Sequence, residues 1–299
     1  MNDDSLRKES RGKFQWYADS IPVRGCQLDL PLIKAAYREL TTLTQKEGEA
    51  IIAKLPRPEE MSEDDFAKRN TFLRDDAFRV TVSIIGFDGE TTYGEDETIF
   101  DSANLPQPIK TIFFTNATAF KRHADGAEPP NRFYTWLHFD KPPLFDPNPL
   151  VSETTQNSSL VEIKADDVVY FRAVQNIVTG RLCSKRKFYS VIHEKFAYDI
   201  GLWFIALPYA LYWVTVYNDY FFPTDSTIAS YRVAFFIYAS GMCLILYRAL
   251  FMYLKWAFPL NVLEENKDNA TKHRVVLGAI VMGLVISGLT SIIGTLAES

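Results

Sequence analysis

Beyond Asp199 this 299-residue chain runs for long stretches almost without charge. Crossing a bilayer takes about 20 predominantly apolar residues. Three stretches approach or exceed that length: Ile200 to Tyr217, Val233 to Phe258, and Val275 to Leu296. The first carries Pro208, which a membrane helix tolerates where neighbours satisfy the freed carbonyl. A mean hydropathy of -0.08 conceals this split, because charges are spread throughout the preceding residues. The expectation is a soluble domain over residues 1–196 joined to an all-α transmembrane module of three helices over residues 197–299. Core helices of a soluble protein are the alternative, but three such stretches are hard to bury in a chain this short.

Lys and Arg in short flanks set orientation. Arg181, Lys185, Arg186, Lys187 and Lys195 precede the first stretch, and Lys255, Lys267, Lys272 and Arg274 lie around the connection to the third. Between the first and second stands NDYFFPTDSTIAS, which has no Lys or Arg and holds Asp219 and Asp225; a lone Arg232 follows. This bias predicts an inner or plasma membrane protein with its N-terminal domain in the cytoplasm and its C-terminus outside. The opening MNDDSLRKESRGKFQW is charged and lacks the apolar core of a secretory signal. The three cysteines (Cys26, Cys183 and Cys243) have no metal-ligand spacing and suggest structural thiols in a reducing compartment.

In the third stretch Ala279, Gly283, Ser287, Ser291 and Thr295 recur every four residues and form one ridge, with Gly288 and Gly294 nearby. Small residues let helices approach closely, so the ridge suits a packing seam. Its hydroxyls equally suit a water-filled path through an oligomer, a tetramer or similar, in contact with membrane lipid. Arg248, within the second stretch, either snorkels to the interface or marks a functional position at membrane depth.

The N-terminal domain is expected to be α+β. Apolar spacing predicts a helix from Leu32 to Leu55, and Ser62 with Asp65 starts a second that runs to about Leu73. Strands are expected over Phe78 to Ile85, Lys110 to Ala119, Arg132 to Phe139 and Ser159 to Lys164. Asp88-Gly89 is a hairpin signal leading into Glu90 to Tyr93, and a helix is expected after Ala165. Together these make an antiparallel sheet or sandwich.

Chemistry-bearing motifs are sparse. The acidic run Asp88 to Glu97 fails the calcium-loop template, the four histidines are scattered, and neither a nucleophile elbow nor a phosphate loop is present. No cofactor, metal site or enzymatic activity is implied. One strand stands out. In RFYTWLHF, Phe133, Thr135, Leu137 and Phe139 share one face, and Arg132, Tyr134, Trp136 and His138 share the other. Aromatic planes beside a cation suit base stacking, and Lys110, Lys121 and Arg122 lie on or beside the partner strand, placed to meet phosphates. The competing reading packs that second face beneath the N-terminal helices.

A cytosolic β-rich domain followed by a compact membrane bundle with this small-polar ridge resembles, in layout, the membrane effectors of bacterial antiphage signalling, the CBASS and Hailong effectors. The resemblance implies a homo-oligomeric pore gated by a nucleotide or oligonucleotide. A membrane-anchored sensor or adaptor without a pore is the alternative.

Overall fold

The computed structural model describes residues 16–144, 149–224, 227–266, 270 and 272–279. Polarity changes once along the chain, near residue 197, but compactness changes five times. One unit comprises residues 1–140, 156–187 and 261–267; the other comprises residues 141–155, 188–260 and 268–299.

The first unit is α+β. Strands β1 (Tyr17–Pro22), β3 (Thr81–Gly86), β4 (Thr91–Gly94), β5 (Ile109–Thr115), β6 (Arg132–His138) and β7 (Leu160–Ala165) form one sheet in the order β1-β7-β6-β5-β3-β4. Every neighbouring pair is antiparallel. Helices α1 (Leu30–Ile52) and α4 (Val168–Ile177) contribute to the core on one face. Tyr37 of α1 meets Phe100 edge-on at 5.4 Å and Phe114 at 6.1 Å, and its hydroxyl donates to the Val80 carbonyl at 2.7 Å. Fully burying such a side chain stabilises by about 1.5–3 kcal/mol. A second cluster joins the end of α1 to α2 (Glu63–Ala77) and α3 (Ala117–His123) through Ile52, Leu73, Phe78 and Phe120.

Local sequence explains these elements. Asp29 caps α1 by accepting from the Leu32 amide at 2.7 Å. Ser62 and Asp65 form the expected reciprocal cap of α2, with the Asp65 amide donating at 3.1 Å and the Ser62 hydroxyl at 2.7 Å. Gly89 takes a φ of +88° at the hairpin tip, where a side chain would be strained. Three expectations need correction. The strand predicted to Ala119 stops at Thr115, and ATAFKRH turns into α3, whose first amide is held by the Thr115 hydroxyl at 3.1 Å. The stretch KRHADGAEPPN reads in sequence as an exposed turn, but the turn begins only at Ala124. Strand β1, at the sheet edge, was not expected.

A small parallel ladder joins β2 (Gln27–Leu28) to β8 (Val262–Leu263). Around it Asn261 accepts from the Cys26 amide at 3.1 Å and donates to the Val23 carbonyl at 2.8 Å. Glu265 caps the Leu30 amide at 2.7 Å, and Asn266 pairs both backbone groups of Ile109 at 2.8 and 2.7 Å. Residues 261–266 thus close the α+β unit from a point late in the chain.

The second unit is helical. Two of its helices, Lys195–Phe221 and Ala229–Ala257, are long and apolar enough to cross a membrane, with mean hydropathies of 1.5 and 1.8. Only 6% and 0% of their most apolar windows are buried, unlike core helices of a soluble protein. They cover the first two spans expected from sequence, the second apart from its last residue, Phe258. Gly201 lets them approach closely, since a Cβ there would fall 2.4 Å from the Tyr247 hydroxyl, which donates to the Tyr198 carbonyl at 2.8 Å. Of the expected third span only residues 275–279 lie within a described helix, residues 272–279; the remainder lies outside the described residues.

The end of the second long helix leaves carbonyls that need donors. Buried His193 meets the Phe258 carbonyl at 2.6 Å through Nε2 and the Thr155 hydroxyl at 3.0 Å through Nδ1. Arg274 reaches the Ala257 carbonyl at 2.5 Å, where cations also complement the helix dipole. Buried Lys255 donates to the Val151 and Glu153 carbonyls at 2.9 and 2.8 Å.

Candidate functional site

Period-two alternation decides which side of β6 packs the core. Phe133, Thr135 and Leu137 are fully buried, while Arg132, Tyr134, Trp136 and His138 remain half-buried on the opposite face. That opposite face does not pack beneath α1 and α4. The antiparallel register sets Phe113 of β5 directly across from Trp136. Phe113 and Trp136 lie 5.2 Å apart with a 35° tilt, and Trp136 stacks on Tyr134 at 5.6 Å and 17°. The result is a row of three rings across two strands, beside an open groove of about 580 Å³ lined by Ser20, Arg132, Tyr134, Trp136, Glu162 and Lys164 among others.

Charge at the end of this row is organised by one acid. Glu128 receives Lys121 at 2.8 Å and the Tyr134 hydroxyl at 2.9 Å on one carboxylate oxygen, and Arg132 at 2.9 Å on the other. The Lys121 hydrogen bond leads in holding the Glu128 carboxyl below its usual range, and Glu128 in turn raises the Lys121 ammonium. Burial, followed by the hydrogen bond to Glu128, pushes the Tyr134 phenol up. Arg132 also lies over the Trp16 ring at 5.8 Å. Two cations therefore converge beside stacked rings and share one carboxylate between them.

Of the residues singled out from sequence, the fold gathers Lys121, Arg132, Tyr134 and Trp136. The others lie apart. Arg122 turns away to Glu95 at 2.5 Å and the Tyr93 hydroxyl at 2.6 Å, toward the β4 edge. Lys110 and His138 sit at the other end of the β5–β6 pair, four residues and about 13 Å along the strands. There Lys110 is 4.0 Å from Asp140, and His138 meets the Thr111 hydroxyl at 3.0 Å; burial pushes its imidazole below the ordinary range. Sequence reasoning missed Phe113 and Glu128. Alternation in KTIFFT already places Phe113 opposite the core face; Glu128 in a proline-rich turn carries no such signal.

In the helical unit Arg248 lies within electrostatic reach of Tyr198, three residues after the start of the first long helix. Arg232 pairs with Asp219 across the connection between the two long helices. Ala279 is exposed on the described helix of residues 272–279, while Gly283, Ser287, Ser291 and Thr295 lie outside the described residues.

No protein-family model matches this sequence, and no curated protein or solved structure matches it either.

Proposed function

We propose that this protein is a ligand-responsive membrane effector. The open face of its sheet takes a nucleotide or oligonucleotide, and its helices assemble as a homo-oligomer that opens a pore. The observation that carries the reading is the Phe113–Trp136–Tyr134 row with Lys121 and Arg132 at its end. Base–aromatic stacking contributes about 1–3 kcal/mol per base, and paired cations supply phosphate contacts. The α+β unit would face the cytoplasm, as the flanking Lys and Arg favour, and the hydroxyl ridge of Ser287, Ser291 and Thr295 would line the lumen. The layout shared with antiphage effectors supports a defence role.

Full-length protein in liposomes tests this. Ion flux is followed while cyclic dinucleotides, cyclic oligonucleotides and mononucleotides are added in turn. The expected result is flux with one class, abolished by Ser287→Leu or Ser291→Leu with ligand binding retained. Ligand binding without flux under any condition favours an anchored sensor without a pore; absence of both defeats the proposal.

A further inference from the structure

Inside the α+β unit Cys183 packs against the core cluster that contains Cys26, whose thiol donates to the Arg24 carbonyl at 3.4 Å. Around them, Cys26 bridges Arg186 in antiparallel fashion, the Gln27 amide donates to Lys185 at 3.1 Å, and the Lys187 amide donates to Gly25 at 2.7 Å. The same short segment holds the late strand, because the Cys26 carbonyl accepts from the Val262 amide at 3.1 Å. Cys26 is 1% exposed, whereas Cys183 is only partly buried. A small oxidant can therefore reach one sulfur while the other waits behind it. We propose that Cys26 and Cys183 form a redox site that closes to a disulfide under peroxide and stiffens the closure made by residues 261–264.

The chemistry follows from the two environments. The neighbouring Cys26 side chain, with help from the Arg186 guanidinium, holds the Cys183 thiol down at about 7, while the same interaction and burial push Cys26 up. Thiolates, not thiols, attack peroxides. The Cys183 thiolate attacks one peroxide oxygen and the O–O bond breaks. Hydroxide leaves and takes up a proton as water, and Cys183 becomes a sulfenic acid. The Cys26 sulfur then attacks the Cys183 sulfur; the S–O bond breaks, and the departing hydroxide takes the Cys26 proton as a second water. Two thiols and one hydrogen peroxide give one disulfide and two waters.

The bond would join residues that precede the crossing into the helical unit at 187/188 to the segment that pairs with residues 261–264, which follow the return at 260/261. Full-length protein in detergent is treated with hydrogen peroxide or with dithiothreitol, alkylated, digested and analysed by mass spectrometry. The expected product is a cross-linked Cys26–Cys183 peptide lacking two hydrogens, reversed by dithiothreitol, and a higher thermal midpoint for the oxidised protein. Cys243→Ser should retain the cross-link and Cys183→Ser should lose it. Both thiols alkylated after peroxide, or sulfinic acid at Cys183 without a cross-link, would overturn the site. A cross-link with an unchanged midpoint would overturn the stiffening.

Discussion

Glu128 is the residue on which the candidate site turns, since its one carboxylate pairs with both cations that a phosphate would need. Glu128→Gln should keep the turn but loosen that hold, so nucleotide affinity should rise severalfold in a fluorescence titration; a fall would show that the acid, not the cations, recognises the ligand. Its pH signature has a definite sign. A depressed carboxylate stabilises the fold fully above its unfolded pKa of about 4.5 and loses that contribution as pH falls through the lower folded value. Acid titration of the wild type should therefore show a loss of stability below that pH which Glu128→Gln lacks. Trp136→Ala removes the central ring and should weaken the same ligand by about 10- to 100-fold, as expected for one lost stack. Its half-buried position keeps the cost to folding small. Thr135 lies on the opposite, fully buried side, and its hydroxyl has no partner among the described residues. Thr135→Val should raise stability by about 1 kcal/mol in thermal unfolding, because it removes an unmet polar group. At this scale sequence gave alternation, and hence which rings face outward, but not the acid that binds the cations.

Among the elements, α1 was legible from its apolar spacing alone, while the Asp29 cap that starts it at Leu30 was not part of that reading. Nor was Gly48 within it. A Cβ there would lie 2.4 Å from Phe78 Cγ, so the helix passes almost in backbone contact over a ring that joins the second cluster. Gly48→Ala should raise helix propensity yet destabilise, by about 1–3 kcal/mol, because Phe78 must shift in a packed site; a higher melting temperature would refute the close approach. Helix α3 was misread because ATAFKRH continues a β-rich run, and only the Thr115 hydroxyl meeting the Ala117 amide marks the change of direction. Strand β1 escaped notice because YADSIP has weak alternation and its partner, β7, is about 140 residues away.

In the whole molecule, hydropathy alone located the two long helices, because lipid demands unbroken apolar length. The exchange of segments between units left no such trace: residues 141–155 and 261–267 look like ordinary connections, and only long-range hydrogen bonds assign them. Asn261→Ala should test the second, stranding the buried Cys26 amide and lowering the midpoint of the α+β unit by an amount equivalent to about 1–3 kcal/mol. The late strand also has a consequence for biogenesis. A ribosome that has released residues 1–187 has not yet made Asn261, Glu265 or Asn266, which pair backbone groups near Cys26, Leu30 and Ile109. The head of the polypeptide must wait in an unfinished state until the two long helices have been made, whatever its own folding speed.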